Sequence, residues 1–230
     1  MRVLAIESSG ITASVAVLDA SGPLTEQVLE PSERSARGLA PAIARALADV
    51  GWRATDVELV AVTSGPGSFT GLRVGVTTAK ALAYASGSSI LGLNTLEVIA
   101  AGMPNNFEQF SVVIDAQRKQ SFLAKFARGE DGFIRFTQET TIVDDQQWLA
   151  DLAPGQLVTG PGLEKLQAQL PEGVVAADRQ HWATQAVAVG QLASRLFAAG
   201  QRDDVFTLVP NYFRRTAAEE QWERKPPPKR

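Results

Sequence analysis

The sequence contains no cysteine and one histidine, His181, among its 230 residues. The absence of cysteine excludes disulfides, thiolate zinc sites and cysteine nucleophiles, and it fits a reducing compartment. A single imidazole cannot supply the pair of histidines on which many metal sites depend. We therefore interpret His181 as a helix-start or surface residue rather than as a ligand.

The sequence also lacks a dominant charge and a long apolar run. It has 22 basic and 25 acidic residues, a net charge of −3. A protein that binds nucleic acid by itself usually carries a basic patch, because neutralising phosphates supplies most of the affinity. No apolar run approaches the ~18 residues of a membrane span, and the N-terminus does not resemble a signal peptide. We expect a cytoplasmic protein without a membrane partner.

The hydrophobic content of 45% is enough for a large core, and its pattern predicts two α/β lobes, residues 1–102 and 103–216. The first lobe is predicted to contain strands at 2–8, 12–18, 24–29, 57–63 and 90–93 and helices at 35–50 and 71–86. The second is predicted to contain strands at 110–115, 121–127, 133–140 and 156–159 and a long helix at 182–199. Residues 217–230 have almost no apolar residue except Trp222, which predicts a solvated tail.

A glycine-rich loop joins the fourth predicted strand to the second helix. It consists of Gly65, Pro66, Gly67, Ser68, Phe69, Thr70 and Gly71. A phosphate-binding P-loop has four residues between its glycines and then Lys-Ser/Thr, whereas here Leu72 and Arg73 follow a longer gap. The spacing of the dinucleotide fingerprint is absent as well. The simpler interpretation is a tight connection in which glycine relieves the backbone, and phosphate binding is the less favoured alternative.

The helix after this loop is apolar almost all round, since Arg73 and Lys80 are its charged residues between positions 71 and 86. Such a helix is normally buried on most sides. The sheet can cover one side, and either the same chain or a partner chain must cover the other. The preceding helix is rich in alanine and allows close approach. We predict that the two helices bind a partner through Leu39, Ile43, Leu72, Arg73, Val74, Val76 and Lys80.

Residues 63–75, Thr-Ser-Gly-Pro-Gly-Ser-Phe-Thr-Gly-Leu-Arg-Val-Gly, resemble the signature of the TsaB (YeaZ) family in the Gcp-like, glycoprotease-named group. The resemblance continues in order through residues 79–83, 113–116, 160–162 and 210–214. It implies an α/β fold of the actin-like, sugar-kinase-like (ASKHA) type, with two related lobes of mixed sheets flanked by helices. It also implies a role beside TsaD, which transfers threonylcarbamoyl to the adenosine next to the anticodon in tRNA that reads codons beginning with A.

The resemblance further implies that the chain has no catalytic residue and no metal site. The catalytic relative carries Asn-His-x-Glu-x-His, and Thr95 and Ile99 stand at the two histidine positions of the matching stretch here. ATP and metal are therefore expected in TsaD and not in this chain alone. The fold still suggests a possible nucleotide-binding set between the lobes: Glu7, Ser8, Ser9, Asp115, Gly160 and Gly162. The family usually has Asp where Glu7 stands, which weakens any role assigned to that position.

Three classes of function remain in competition. The first is a non-catalytic subunit that binds TsaD, reaches the small ATPase TsaE and tRNA through the complex, and pairs with a second copy of itself when alone. The alternative is an independent ATPase or kinase-like protein, because Glu7 and Asp115 end strands where acids can hold a magnesium nucleotide. The least favoured is a metalloprotease, since the sequence has no H-E-x-x-H motif.

Overall fold

The computed structural model describes residues 1–30 and 35–214. The predicted tail, 217–230, lies outside the described residues. The first sheet is made of β1 (Val3–Glu7), β2 (Ser14–Asp19), β3 (Gly22–Val28), β4 (Leu59–Gly65) and β5 (Ser89–Asn94). Its order is β3-β2-β1-β4-β5, with β1 antiparallel to β2 and parallel to β4. The apolar residues of β1 and β4 run on without alternation because both faces of these central strands are buried.

The second sheet repeats the topology of the first. It is made of β6 (Gln109–Asp115), β7 (Gln120–Arg128), β8 (Ile134–Asp144), β9 (Leu157–Thr159) and β10 (Val175–Ala176). Its order is β10-β9-β6-β7-β8, so a three-stranded meander is again followed by two parallel strands beside the first strand of the meander. The predicted architecture of two related lobes with mixed sheets is confirmed.

Six α-helices flank the sheets in the described residues: α1 (Ser35–Asp49), α2 (Phe69–Ser86), α3 (Thr95–Ala101), α4 (Asp145–Ala150), α5 (Leu163–Leu166) and α6 (Ala186–Ala198). Helices α1 and α2 cover one face of the first sheet, where Leu39 and Ile43 join Val15 and Val62 in a buried cluster. The sequence patterns predicted helical stretches around 156–159 without bounds, where α4 and α5 lie, and did not predict α3 or β10; all four elements are seven residues or shorter. Short elements carry too few periodic positions to be recognised.

The last helix of each half contacts the sheet of the other half. Helix α6 follows the second sheet in the chain, yet Val189 and Ala193 pack with Ala5 and Ala61 of the first sheet. Helix α3 follows the first sheet and packs between the two sheets: Leu96 and Ile99 join the cluster of β6 and β7, whereas Val98 joins the cluster of the first sheet. The predicted boundary at residue 102 therefore separates the two sheets but not the two packing units. This corrects the assignment of 182–199 to a separate second lobe.

Residues 203–214, which we call the C-terminal strap, also return to the first sheet. The Asp203 amide donates to the carbonyl of Ile90 at 3.2 Å, and the Gly92 amide donates to the Asp203 carboxylate at 2.7 Å. From this edge of the sheet the strap runs across α2. Its carbonyls at Phe206 and Leu208 accept hydrogen bonds from the Lys80 ammonium at 3.1 and 2.8 Å.

Candidate functional site

The glycine loop lies directly against the turn after β1. The Ser68 amide donates to the Ser9 carbonyl at 2.7 Å, and a Cβ at Gly67 would stand 2.5 Å from that same oxygen. A Cβ at Gly71 would overlap the carbonyl oxygen of Ser8. Ser68 caps α2 by accepting from the Gly71 amide at 3.3 Å. Close backbone packing thus accounts for Gly67 and Gly71, which is what the simpler interpretation expects.

Glu7, at the end of β1, is 1% exposed. Its Oε1 accepts from the amide and hydroxyl of Ser9 at 2.7 and 2.5 Å, while Oε2 has no hydrogen-bond partner among the described residues. Burial raises the pKa of the Glu7 carboxyl, although hydrogen bonds from Ser9 and Thr63 act in the opposite direction. Burial thus disfavours the charged form that a magnesium ion requires.

Asp115, at the equivalent end of β6, is engaged by its own neighbours. Its Oδ1 accepts from the Gln117 amide at 2.9 Å, and its Oδ2 accepts from the Gln117 side chain and forms an ion pair with Lys165. The turn after it holds Gln117, Arg118 and Lys119 at φ of 64°, 58° and 60°. Non-glycine residues in this left-handed region cost roughly 1–3 kcal/mol each and persist where their surroundings fix them.

The second Gly-Pro-Gly segment, at positions 160–162, packs on β6. A Cβ at Gly160 would overlap the Val113 carbonyl, and the Gly162 amide donates to that carbonyl at 3.0 Å. The structure thus places Glu7, Ser8 and Ser9 under the glycine loop and both of these glycines against β6. A nucleotide-binding role for these residues and Asp115 stays a prediction.

The strap covers the outer side of α2. Besides the Lys80 contacts, the Arg73 side chain donates to the Tyr212 hydroxyl at 3.0 Å and lies over the Phe69 ring, 4.1 Å from its centre. Tyr212 in turn stacks on Phe69 with ring centres 4.7 Å apart. The charged residues of α2, Arg73 and Lys80, therefore bind the chain's own strap. The strap covers the side of this apolar helix that the sheet leaves open. The sequence pattern could not distinguish this cover from a partner chain.

Four of the residues predicted to bind a partner are interior residues. Leu39, Ile43, Leu72 and Val76 are at most 6% exposed, and Val74 is half-buried against the same core. These four side chains cannot face a partner, because the apolar stripes of α1 and α2 point at the first sheet. This corrects the predicted contact set. The exposed face of the two helices is instead built from small and charged residues, including Ala40, Ala44, Arg45, Arg73, Thr77 and Ala81.

An exposed aromatic pair, which the sequence analysis missed, borders this face. Tyr84 of α2 and Phe206 of the strap are 70% and 72% exposed, and their rings meet edge to face with centres 5.8 Å apart. Exposed apolar groups of this size often mark interaction surfaces. The sequence gives no signal for this pair, because 122 positions separate its members and a fold is needed to bring them together.

The two positions that hold histidine in the catalytic relative lie inside the molecule. Thr95 and Ile99 of α3 are 3% and 4% exposed. Asn94 caps α3 by accepting from the Leu96 amide at 2.9 Å, and its side chain donates to Thr140 of β8 at 2.9 Å. The segment is thus a packing element between the sheets. Among residues 1–30 and 35–214, no group of three His, Cys, Asp or Glu side chains could hold a metal ion.

His181 is half-buried and lines a groove of about 380 Å³ together with Phe107 and Asp178. Its Nε2 lies 3.2 Å from the Gln180 side-chain nitrogen. This position is compatible with a surface residue near the start of α6. Separately, no helix in the described part of the chain is both long enough and apolar enough to cross a membrane.

The duplicated mixed sheets and the crossing helices define an α/β protein of the actin-like, sugar-kinase-like type. The family model described as TsaD: tRNA N6-adenosine threonylcarbamoyltransferase matches residues 30–157, more than half of the chain. YeaZ from Pseudomonas aeruginosa has the same fold, with a TM-score of 0.79 at 22% identity, over 92% of this chain and 99% of that one.

Two curated relatives match almost end to end. The tRNA threonylcarbamoyladenosine biosynthesis protein TsaB of Bacillus subtilis is 28% identical over 96% of this chain and 98% of its own length. The protein of the same name from Escherichia coli is 27% identical, with 98% and 99% covered. The chain belongs to the TsaB (YeaZ) group of the family that this model describes. It has a role in tRNA threonylcarbamoyladenosine biosynthesis.

Proposed function

We propose that this chain is a non-catalytic subunit that binds TsaD and supports the formation of threonylcarbamoyladenosine in tRNA that reads codons beginning with A. One observation carries the proposal. Thr95 and Ile99 fill the positions at which the resemblance places the metal-binding histidines of TsaD, and both are buried in the core. ATP and metal are then held by TsaD, while TsaE and tRNA reach this chain through the complex, in the cytoplasm.

The exposed face of α1 and α2 is the surface that we assign to TsaD. The matched family segment includes both helices, so TsaD presents a related pair of helices, and the two pairs can meet about a pseudo-two-fold axis. Small side chains such as Ala44 and Ala81 on this face allow the helices of the two proteins to approach closely. Without TsaD, a second copy of this chain would pair isologously through the same face. A specific contact of this kind buries at least ~1,000 Å² in total.

Co-purification with a bacterial TsaD, followed by a tRNA modification assay with each protein omitted in turn, tests the function. We expect a stable complex, no threonylcarbamoyl transfer by this chain alone, and loss of transfer when it is left out. Transfer that proceeds equally well without this chain would contradict the proposal. Hydrolysis of ATP by the isolated chain would instead favour the kinase-like alternative.

A charged substitution on the exposed face of α1 and α2 tests whether this face binds TsaD. We expect Ala81→Glu to weaken TsaD binding at least tenfold in a calorimetric titration, because a carboxylate would be desolvated between closely packed helices. The control is Ala150→Glu, an equally exposed alanine at the end of α4 near the second sheet. Native affinity in the α2 variant, with its folding intact, would place the TsaD surface elsewhere.

A further inference from the structure

The C-terminal strap is tied to the first half of the molecule just before it ends. The Asn211 amide donates to the Ser64 carbonyl at 2.7 Å, next to the glycine loop. Gly65 makes room for this contact, since a Cβ there would stand 2.6 Å from the Asn211 carbonyl oxygen. Tyr212 then stacks on Phe69, and Arg73 bonds its hydroxyl. The strap is therefore held to both ends of the glycine loop.

Only two residues further on, the strap is tied to the second sheet. Phe213 packs beside Phe122 of β7, with ring centres 5.9 Å apart. The Arg214 guanidinium donates to the carbonyls of Ala116 and Gln117 at 2.5 and 3.4 Å, and to the side-chain oxygen of Gln120. These acceptors flank the left-handed turn after Asp115. A planar guanidinium with several fixed donors suits such a set of acceptors, which an ammonium cannot satisfy in the same way.

We propose that the strap is a staple that fixes the orientation of the two sheets relative to each other, with Arg214 as its latch. The three residue-to-residue steps from Asn211 to Arg214 span about 10 Å at most, because an extended chain advances about 3.3–3.6 Å per residue. A link this short limits how far its two anchor points can move apart. A large separation or rotation of the sheets therefore requires that one end of the staple is released. The left-handed turn is kept in place by the same latch, which accounts for an unfavourable backbone without glycine.

The staple also gives a physical reason why the segment at positions 210–214 has the sequence Pro-Asn-Tyr-Phe-Arg. Asn211 and Tyr212 contact the first half, and Phe213 and Arg214 contact the second. The proposal does not depend on the binding of TsaD, because every contact is within the chain.

The test compares the full chain with the variants Arg214→Ala and Arg202→Ala, each carrying the same pair of cysteines for labelling. The chain has no cysteine, so Thr55→Cys near the first sheet and Ala150→Cys near the second can be spin-labelled uniquely. We expect one narrow distance distribution in the parent and a broader or second one after Arg214→Ala. We also expect amide hydrogen exchange at residues 116–120 to accelerate at least tenfold. Arg202→Ala is the matched control, since that arginine bonds the nearby carbonyls of Phe197 and Gln201.

If Arg214→Ala does not fold, Arg214→Lys keeps the charge and most of the side chain, and we expect a partial version of the same two changes. An unchanged distance distribution together with unchanged exchange would overturn the proposal. Exchange that rises evenly through both sheets would also overturn it, since Arg214 would then contribute to global stability alone.

Discussion

The two sheets share one topology, and the turn after the fourth strand of each shows what that topology requires. Gly65-Pro66-Gly67 ends β4, and Gly160-Pro161-Gly162 comes after β9, with φ of 130° and 112° at the first glycines. In both copies the second glycine packs on the backbone near the C-terminal end of the sheet's first strand: Gly67 on Ser9, two residues past β1, and Gly162 on Val113, two residues before the end of β6. The shared glycines therefore belong to the fold. The halves differ in the helix after this turn, since α2 has 18 residues and α5 has four.

The acids at the ends of the first strands, Glu7 and Asp115, also differ between the two halves. Glu7 is buried and has no cationic partner among the described residues, whereas Asp115 is partly exposed and paired with Lys165. The acid of the first half is the more deeply buried of the two, and the glycine loop and α2 pack against the two serines that follow it. Three substitutions measure this difference between the halves.

The largest effect is expected at Gly71, where the first half is most tightly packed. Gly71→Ala should lower the free energy of unfolding by about 2–3 kcal/mol, since the added Cβ overlaps the Ser8 carbonyl and outweighs a helix-propensity gain of about 1 kcal/mol. Gly162→Ala, with its nearest contact at 3.0 Å, should cost less than half as much. Urea denaturation measures both. Gly102→Ala, whose Cβ would have 3.4 Å of clearance, is the control, and equal losses at Gly71 and Gly162 would contradict the comparison.

A smaller effect, which depends on pH, is expected at Glu7. Burial raises the pKa of this carboxyl in the folded state, so the fold binds the proton more tightly than the unfolded chain does. Stability is then fully present below the unfolded pKa and is lost as pH rises through the folded pKa. Glu7→Gln keeps an oxygen that accepts hydrogen bonds from Ser9, but it cannot ionise. The variant therefore does not lose stability as pH rises. We expect the variant to gain stability relative to the parent as pH increases. Urea denaturation at several pH values from acidic to neutral measures this difference. Parallel stability curves for the two proteins would show that the pKa of Glu7 is the same in the folded and unfolded states.

The smallest effect is expected at Asp115. The pair with Lys165 is partly exposed, with 63% of the lysine side chain accessible, so Asp115→Asn should cost no more than about 1 kcal/mol. The asparagine oxygen can still accept from the Gln117 amide. A double-mutant cycle with Lys165→Met isolates the coupling between the two charges. A coupling of several kcal/mol would show that the second half holds its acid as tightly as the first.

The sequence by itself determined the order of the strands, the two long outer helices and the apolar central strands, because these follow from local hydrophobic patterns. It also determined the family, through motifs spread along the chain in order. The predicted strands at 2–8 and 24–29 agree with the observed β1 and β3 to within about two residues. The predicted start of α2 is two residues too late. Such shifts are expected where a capping residue such as Ser68 sets the boundary.

The tertiary structure alone decided which side of α2 is covered and by what. Lys80 and Phe206 are 126 positions apart, and no local pattern can report a contact over that separation. The same reason accounts for α6, whose helical pattern was visible in the sequence but whose partner sheet was not. A helix pattern predicts that one face will be buried, but only packing selects the surface that buries it. Here α6 is buried by the sheet of the other half, and α3 packs between both sheets.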